Sequence, residues 1–181
     1  LHPAALPVAA PILLLWLLAP LLAYWLSRPV APPEIELGPE DRLYLEGVAR
    51  NTWRFFATFA GPEDNGLPPD NFQEVPEPRI AHRTSPTNIG MGLLATLAAR
   101  DLGFIGIDEL VLRTARALDA MERLERHKGH LLNWYDSRTL LALEPRYVST
   151  VDSGNLSGAL LCLAEGLRQA ASAEREAADR K

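Results

Sequence analysis

Two long polar segments of the chain carry side chains suited to binding a sugar. In the first segment, residues 61–85, and just beyond it, these are Asp70, Asn71, Gln73, Glu74, His82, Arg83, Thr84 and Asn88. In the second, residues 130–155, they are His130, Asn133, Trp134, Tyr135, Asp136, Arg146, Tyr147, Asp152, Ser153 and Asn155. Carboxylates and amides hydrogen-bond vicinal hydroxyls, and aromatic rings cover the apolar faces of pyranose rings. The two segments together predict a sugar-binding cleft.

Chemistry at a glycosidic bond requires two carboxylates at a defined separation across that bond. The candidates are Asp70, Glu74, Asp136 and Asp152. The pattern leaves open which of them face each other, and whether the pair lies beyond residue 181.

The same polar residues also have structural explanations, which the pattern leaves open. Asp70 and Asn71 are of the types that form Asx turns. Arg83 can pair with Asp70 or Glu74 and so hold the first segment together. Asp152 precedes an apolar run and can cap the helix that this run predicts.

Two aromatic groups are candidates for stacking on a sugar ring. We expect Trp134 and Tyr135, in the second polar segment, to form such a platform. The other group approximates the apolar stripe of a helix and is more typical of a hydrophobic core. It consists of Trp53, Phe55, Phe56 and Phe59.

Four helical segments position the polar segments. Apolar periodicity and start and stop residues predict helices over residues 39–60, 86–100, 108–126 and 155–167, with Asp108 capping the third. The second and fourth are apolar nearly all round, which is typical of interior helices. The first and third are assigned to the outside, and an apolar stripe including Leu43 and Val48 is expected to pack the first inward.

The order of these helices predicts the fold. Each polar segment precedes an interior helix, so in an alternating antiparallel array both segments lie at the same end. This is the geometry of an α/α toroid. The predicted fold is all-α, with an N-terminal transmembrane helix followed by helical hairpins that form part of an (α/α)6 toroid.

Residues 1–28 are predicted to form the transmembrane helix. Residues 7–26 contain no charged side chain, and about 20 apolar residues cross a hydrocarbon core of roughly 30 Å. Tyr24 and Trp25 beside Arg28 are typical of an interfacial belt, and Arg28 favours a cytoplasmic location for the C-terminal side of the helix. The alternatives are a signal peptide, which would need a basic start, and a buried helix of a soluble protein.

Composition bounds the rest of the chain. Residues 29–39 contain four prolines and predict a semi-rigid linker, after which residues 40–181 form the helical domain.

The net charge of −5, without a basic stripe, argues against a nucleic-acid partner. The single cysteine, Cys162, excludes a disulfide framework and is expected to be buried. His82 and His130 lack partners at metal-ligand spacing, so no metal site is predicted.

Five motifs carry a resemblance to a known family. They are Trp53-Arg-Phe-Phe, Leu67-Pro-Pro-Asp-Asn-Phe-Gln-Glu, Arg83-Thr-Ser-Pro-Thr-Asn-Ile-Gly, Asn133-Trp-Tyr-Asp and Tyr147-Val-Ser-Thr-Val-Asp-Ser-Gly-Asn. With these motifs in this order, the chain resembles the cyclic β-1,2-glucan synthases from about residue 13 to residue 168. The matching part is the end of their membrane region and the start of their central glycoamylase-like domain.

This resemblance implies a large protein of the bacterial inner membrane, of which the chain, beginning at Leu1, is a piece. A glycosyltransferase region would use UDP-glucose to build a linear glucan, the central domain would close the ring by transglycosylation, and a phosphorylase-type domain would trim chain length. The segment itself would need no cofactor and would be inactive alone. Its partners would be β-1,2-glucan, membrane lipid and the remainder of the polypeptide.

The residues that the resemblance places in the cleft are Asp70, Asn71, Glu74, Arg83, Trp134, Asp136 and Asp152. The leading hypothesis is therefore part of a carbohydrate-active transferase. A non-catalytic glucan-binding or tethering module is the alternative. A third interpretation makes both polar segments structural spacers.

Overall fold

A computed structural model of the chain describes residues 6–28 and 36–180. The chain divides into two units, Leu1–Pro39 and Glu40–Lys181. Of the linker predicted over residues 29–39, residues 29–35 lie outside the described ranges, and Pro39 is already the first residue of a helix.

The first unit contains one helix, α1, over Leu6–Leu26. Its span Pro7–Leu26 is 20 residues long with a mean hydropathy of 2.0, and none of it is buried. By length and composition this helix can cross a membrane, although a signal sequence has the same properties. A core helix of a soluble protein also passes this test of length and composition.

The second unit contains the four predicted helices. They are α2, Pro39–Phe59; α3, Pro86–Asp101; α4, Ile107–Arg123; and α5, Thr150–Ala178. Two predicted details are wrong. Helix α5 begins at Thr150, before the predicted start at residue 155, and Gly106, which offers no side chain, occupies the capping position of α4. Asp108 lies in the first turn instead, where a negative charge complements the helix dipole.

Serine side chains cap the two helices that follow the polar segments. The Ser85 side chain accepts a hydrogen bond from the Asn88 N–H at the start of α3, and the Ser149 side chain accepts one from the Asp152 N–H at the start of α5. Ser149, not Asp152, is therefore the cap of α5. Both caps fix the direction in which a polar segment enters its helix.

Helices α3 and α5 run side by side in the same direction. A Cβ atom added to Gly90 would lie 2.9 Å from the Cβ of Ala159, and the Leu97 side chain lies against Gly166. These two contacts occur in the same order along both helices, which makes the helices parallel. Helix α4 follows α3 after the short connection 102–106. Parallel interior helices joined through an outer helix are the arrangement that the sequence predicted.

The core of the second unit lies between α3, α4, α5 and the polar segments. Its fully buried side chains include Leu67, Ile89, Leu93, Leu110 and Tyr135. Helix α2 contributes no buried residue. The stripe predicted for it is wrong in its first half, where Leu43 and Val48 are exposed, whereas the Phe59 ring packs on Phe72 with centroids 4.8 Å apart.

Only one face of α5 is buried. Leu156, Ala159, Leu163 and Ala170 form that face. Leu161 and Cys162 are exposed, so the predicted burial of Cys162 is wrong. The error came from assigning the whole circumference of an apolar helix to the interior.

Short antiparallel strands, which the sequence pattern did not predict, order the polar segments. The strands are β1, Phe72–Gln73; β2, Arg79–Ile80; β3, Arg83–Thr84; β4, Arg126–His127; β5, His130–Leu131; and β6, Tyr135–Asp136. They pair as β1 with β2, β3 with β6, and β4 with β5. Lys128 and Gly129, both with positive φ, form the β4–β5 turn.

Candidate functional site

The two polar segments meet where β3 pairs with β6. Arg83 is opposite Asp136, and Thr84 is opposite Tyr135. Beyond the strands, the Ser137 N–H donates to the His82 carbonyl oxygen at 3.2 Å. Since β3 leads directly into α3, both segments lie at the N-terminal end of that helix.

Arg83 is the centre of a side-chain group at this junction. Its Nε and Nη2 atoms donate to one oxygen, Oδ2, of Asp70 at 3.1 and 2.7 Å. Its guanidinium lies 4.8 Å from the ring centroid of Trp134. Amide nitrogens of Asn71 and Asn88 lie 3.0 and 3.5 Å from the Asp70 carboxylate. These five residues form the Arg83 cluster, which joins side chains of both polar segments.

The predicted aromatic platform is reduced to one residue. Tyr135 is fully buried, its hydroxyl donates to the Glu125 carbonyl, and it accepts from the Leu132 N–H at 2.6 Å. Tyr135 is therefore a core residue, and the expectation that it stacks on a sugar is wrong. Trp134 is only partly buried, with the Arg83 guanidinium over its ring.

Asp136 closes a turn. Its Oδ1 atom accepts hydrogen bonds from the N–H groups of Arg138 and Thr139, each at 2.9 Å. Burial alone would raise the pKa of Asp136, but these two N–H groups, together with the Thr139 side chain and the Arg138 charge, lower the pKa below its ordinary value. The Asp136 carboxylate is thus held in its ionised form.

Asp152 ties the start of α5 to the start of α3. Burial would raise its pKa, but hydrogen bonds from Ser149, Thr87 and Ser85 outweigh burial and lower the pKa below the ordinary value. The Asn133 amide, oriented to satisfy its neighbours, donates to the Asp152 Oδ2 atom at 3.1 Å. A further hydrogen bond joins α5 to α3: the Asn155 amide donates to the Thr87 hydroxyl at 3.1 Å.

The lowered pKa values of Asp136 and Asp152 suit these two carboxylates to binding or positioning rather than to acid catalysis. A general acid at a glycosidic bond needs a raised pKa, whereas the pKa values of Asp136 and Asp152 are lowered. Asp70 is committed to Arg83. Glu74 is exposed and has no side-chain hydrogen bond or ion pair with any residue in the described ranges. The structure therefore does not bring Glu74 into the Arg83 cluster.

Sequence analysis did not predict a buried polar group that lies behind the β3–β6 junction. Asp64, only 4% exposed, accepts a short hydrogen bond from the fully buried Ser137 hydroxyl. The Nδ1 atom of His82 lies 2.9 Å from the same carboxylate, and the Asn65 amide donates to the Ser137 carbonyl at 2.8 Å. Asp64 and Ser137 are 73 residues apart, so no local pattern could have revealed this contact.

No group of three or more potential metal ligands occurs among residues 6–28 and 36–180.

Comparisons with known proteins give the chain a family. Residues 47–160 match the family described as "Protein of unknown function (DUF3131)". Over 129 residues the chain is 49% identical to the cyclic beta-(1,2)-glucan synthase NdvB of Rhizobium meliloti (strain 1021), a match that covers 71% of this chain and 5% of that protein. The chain therefore spans about one twentieth of the length of this relative.

A solved structure from Bacteroides fragilis NCTC 9343, described as a glucoamylase, is also similar. It aligns with a TM-score of 0.58 and 23% identity, over 74% of this chain and 32% of that one. At this identity the similarity concerns the fold alone, and it confirms a partial glucoamylase-like (α/α)6 toroid. The resemblance to cyclic β-1,2-glucan synthases is likewise confirmed, and the chain belongs to the DUF3131 family.

Proposed function

We propose that the Arg83 cluster forms part of a β-1,2-glucan-binding cleft in a carbohydrate-active transferase. The observation that carries the proposal is the fixed arrangement of Arg83 between the Asp70 carboxylate and the Trp134 ring. Similarity to a protein named as a cyclic glucan synthase supports the choice of glucan.

The cluster has the donors that a sugar requires. A guanidinium has five N–H donors, of which Asp70 takes two, so three remain for hydroxyl oxygens. The Asn71 and Asn88 amides add donors and acceptors, and the indole of Trp134 offers apolar surface to a pyranose face. Polar groups fixed beside an aromatic ring orient a sugar chain.

Within a transferase, this segment would hold the glucan while other residues act on the bond. Ring closure by transglycosylation requires the two ends of one glucan to be aligned, and positioning of this kind lowers the activation barrier. The lowered pKa values of Asp136 and Asp152 favour a general acid located elsewhere. UDP-glucose, as donor for chain growth, would bind outside this segment, and α1 would anchor the domain in a bacterial inner membrane.

The direct test is glucan affinity. The whole chain, reconstituted in nanodiscs, is titrated with linear β-1,2-glucan oligosaccharides and with β-1,4-linked oligosaccharides by calorimetry. We expect saturable binding of the β-1,2-linked ligand, weakened roughly 5- to 10-fold by Trp134→Ala. Equal affinity for both linkages, or the absence of binding, would contradict the proposal.

The chain offers a matched control for this substitution. Trp53, on α2, is also partly buried, and the Arg113 guanidinium lies 5.2 Å from its ring centroid. Trp53→Ala removes the same type of ring and the same type of cation–π contact, and it leaves the Arg83 cluster unchanged. Its glucan affinity should equal that of the unmodified chain. An equal loss in both variants would show that Trp134 acts through stability alone.

A non-catalytic glucan-binding module is the second candidate, favoured by the engagement of Asp70, Asp136 and Asp152 in internal bonds. The two candidate functions differ in whether the cleft takes part in the cyclisation reaction. In a full-length synthase carrying this domain, Arg83→Gln should lower the yield of cyclic product if the cleft takes part in ring closure. A module that only tethers glucan would lose retention of the polymer at an unchanged rate of cyclisation.

A further inference from the structure

A basic groove lies beside the Arg83 cluster. Its volume is about 550 Å³, and it is lined in part by the arginines Arg79, Arg83 and Arg138, by His82 and by the amides of Asn71 and Gln73. Of the residues that the structure describes, none of those lining the groove is an aspartate or a glutamate. A neutral glucan has no need of three guanidinium groups in one groove.

The positive charges of the groove are only partly neutralised from outside it. Arg83 pairs with Asp70 at 2.7 Å, and the Arg138 guanidinium lies 3.8 Å from the Asp136 carboxylate, beyond hydrogen-bond range. The Arg79 side chain makes no hydrogen bond or ion pair with any residue in the ranges 6–28 and 36–180. An excess of positive charge therefore faces the groove.

The backbone that carries these side chains is held in place. His82 is oriented by its Nδ1 contact of 2.9 Å to the buried Asp64 carboxylate, so in the neutral ring Nε2 is an acceptor and can bind only a protonated oxygen of a ligand. Ser137, whose hydroxyl donates to Asp64, is the residue immediately before Arg138. Antiparallel pairing of Arg79 with Gln73 fixes the backbone of β2. Three separate stretches of chain thus present donors to one space.

We propose that this groove binds a phosphate-type oxyanion, with the guanidinium groups of Arg79 and Arg138 as its donors and Arg83 shared with the Arg83 cluster. The planar fork of a guanidinium matches the oxygen spacing of phosphate, and charge-assisted hydrogen bonds are the strong ones. This site goes beyond glucan binding, because Arg79 and Arg138 are not members of the Arg83 cluster. The anion is either free phosphate or a phosphate ester carried by a sugar.

The experiment uses the whole chain in nanodiscs, with inorganic phosphate and glucose 1-phosphate as separate probes in calorimetric titrations. Arg79→Gln removes the unpaired guanidinium from an exposed position and should weaken binding of the bound probe roughly tenfold or more. Arg168→Gln is the control, because it removes the same charge from α5, where Arg168 pairs with Glu165. It should leave phosphate affinity unchanged.

Each outcome decides the proposal. Equal affinity for the two probes supports a free anion, and tighter binding of glucose 1-phosphate supports a sugar ester. Unchanged β-1,2-glucan affinity in Arg79→Gln would show that the anion site is separate from glucan recognition. No saturable binding of either probe up to about 50 mM would overturn the proposal. Equal losses in Arg79→Gln and Arg168→Gln would also overturn it, because they would indicate general charge attraction.

Discussion

At the residue scale, the geometry of Arg83 matters more than its charge. Exposed ion pairs contribute only about 0–1 kcal/mol to stability, so the pair with Asp70 is not mainly a stabilising device. Its effect is to fix a planar group against the Trp134 ring. The Arg83–Asp70 contact therefore answers a question that the sequence left open: Arg83 pairs with Asp70, and the pair orients the cluster.

Arg83→Lys tests the importance of this planar geometry. A lysine keeps the charge but cannot donate in a fork or stack on the indole in the same way. Affinity for β-1,2-glucan should fall roughly fivefold or more, with a change in unfolding free energy below about 1 kcal/mol. Calorimetric titration and denaturant unfolding of the same samples measure the two quantities.

Arg50→Lys is the control for that substitution. Arg50 also pairs with a carboxylate, Glu46 at 2.8 Å, and also lies over an aromatic ring, that of Phe104 at 4.3 Å. Its replacement should leave glucan affinity intact. If the two lysine variants bind glucan equally well, the shape of the Arg83 side chain has no role in recognition.

Asp152 gives a prediction about acid stability. Its pKa is lower in the folded chain than in the unfolded one, so its contribution is present above the unfolded pKa of about 3.9 and is lost as pH falls through the folded pKa. Asp152→Asn should therefore be less stable than the unmodified chain at neutral pH. The difference in unfolding free energy should shrink below about pH 4. A difference that stays constant during acidification would assign the loss to packing.

At the scale of elements, the contact between α3 and α5 positions the starts of both helices, and with them the site. Gly90 lies against Ala159, where an added methyl group has no room, whereas nothing lies within 4 Å of a Cβ added to Gly158. Alanine favours a helix over glycine by the same amount at both positions. Gly90→Ala should thus be less stable than Gly158→Ala by about 1–3 kcal/mol, as measured by denaturant unfolding. Equal stabilities would mean that α3 and α5 separate without cost.

The buried Asp64 group holds the two polar segments together behind the site. Removing Asp64 leaves the Ser137 hydroxyl buried without its acceptor, and hydrogen bonds to charged groups are worth about 1.5–3 kcal/mol. Asp64→Ala should lower the unfolding free energy by an amount in that range. Asp70→Ala, which breaks a more exposed pair nearby, should cost less than about 1 kcal/mol. If Asp70→Ala is the more damaging of the two, Asp64 does not hold the segments together.

The helices were predictable because their signals are local. The spacing of apolar residues and the Ser85-Pro86 start can be recognised within a few turns of chain. The pairing of β3 with β6 and the contact of Asp64 with Ser137 join residues more than 50 positions apart in sequence, and two-residue strands have no periodicity to detect. Trp134 and Tyr135 are adjacent and chemically alike, so only the structure separates the partly exposed ring from the buried one.

At the scale of the whole molecule, one apolar helix precedes a helical unit whose polar segments form the candidate site. The Arg28 side of α1 is expected to be cytoplasmic, because basic residues accumulate on that side of a membrane helix. With this orientation the Arg83 cluster would lie in the cytoplasm, the compartment that contains nucleotide sugars, and would meet glucan there.

The single cysteine of the chain can decide this orientation. Cys162 is exposed on α5, so it can react with a maleimide reagent without a prior change in the sequence. In spheroplasts that express the chain, a membrane-impermeant maleimide should leave Cys162 unlabelled until the membrane is permeabilised. Cys162→Ser should remain unlabelled throughout and so provides the background. Labelling of intact spheroplasts would place the helical unit outside the cytoplasm, and glucan would then have to reach the Arg83 cluster after leaving the cell interior.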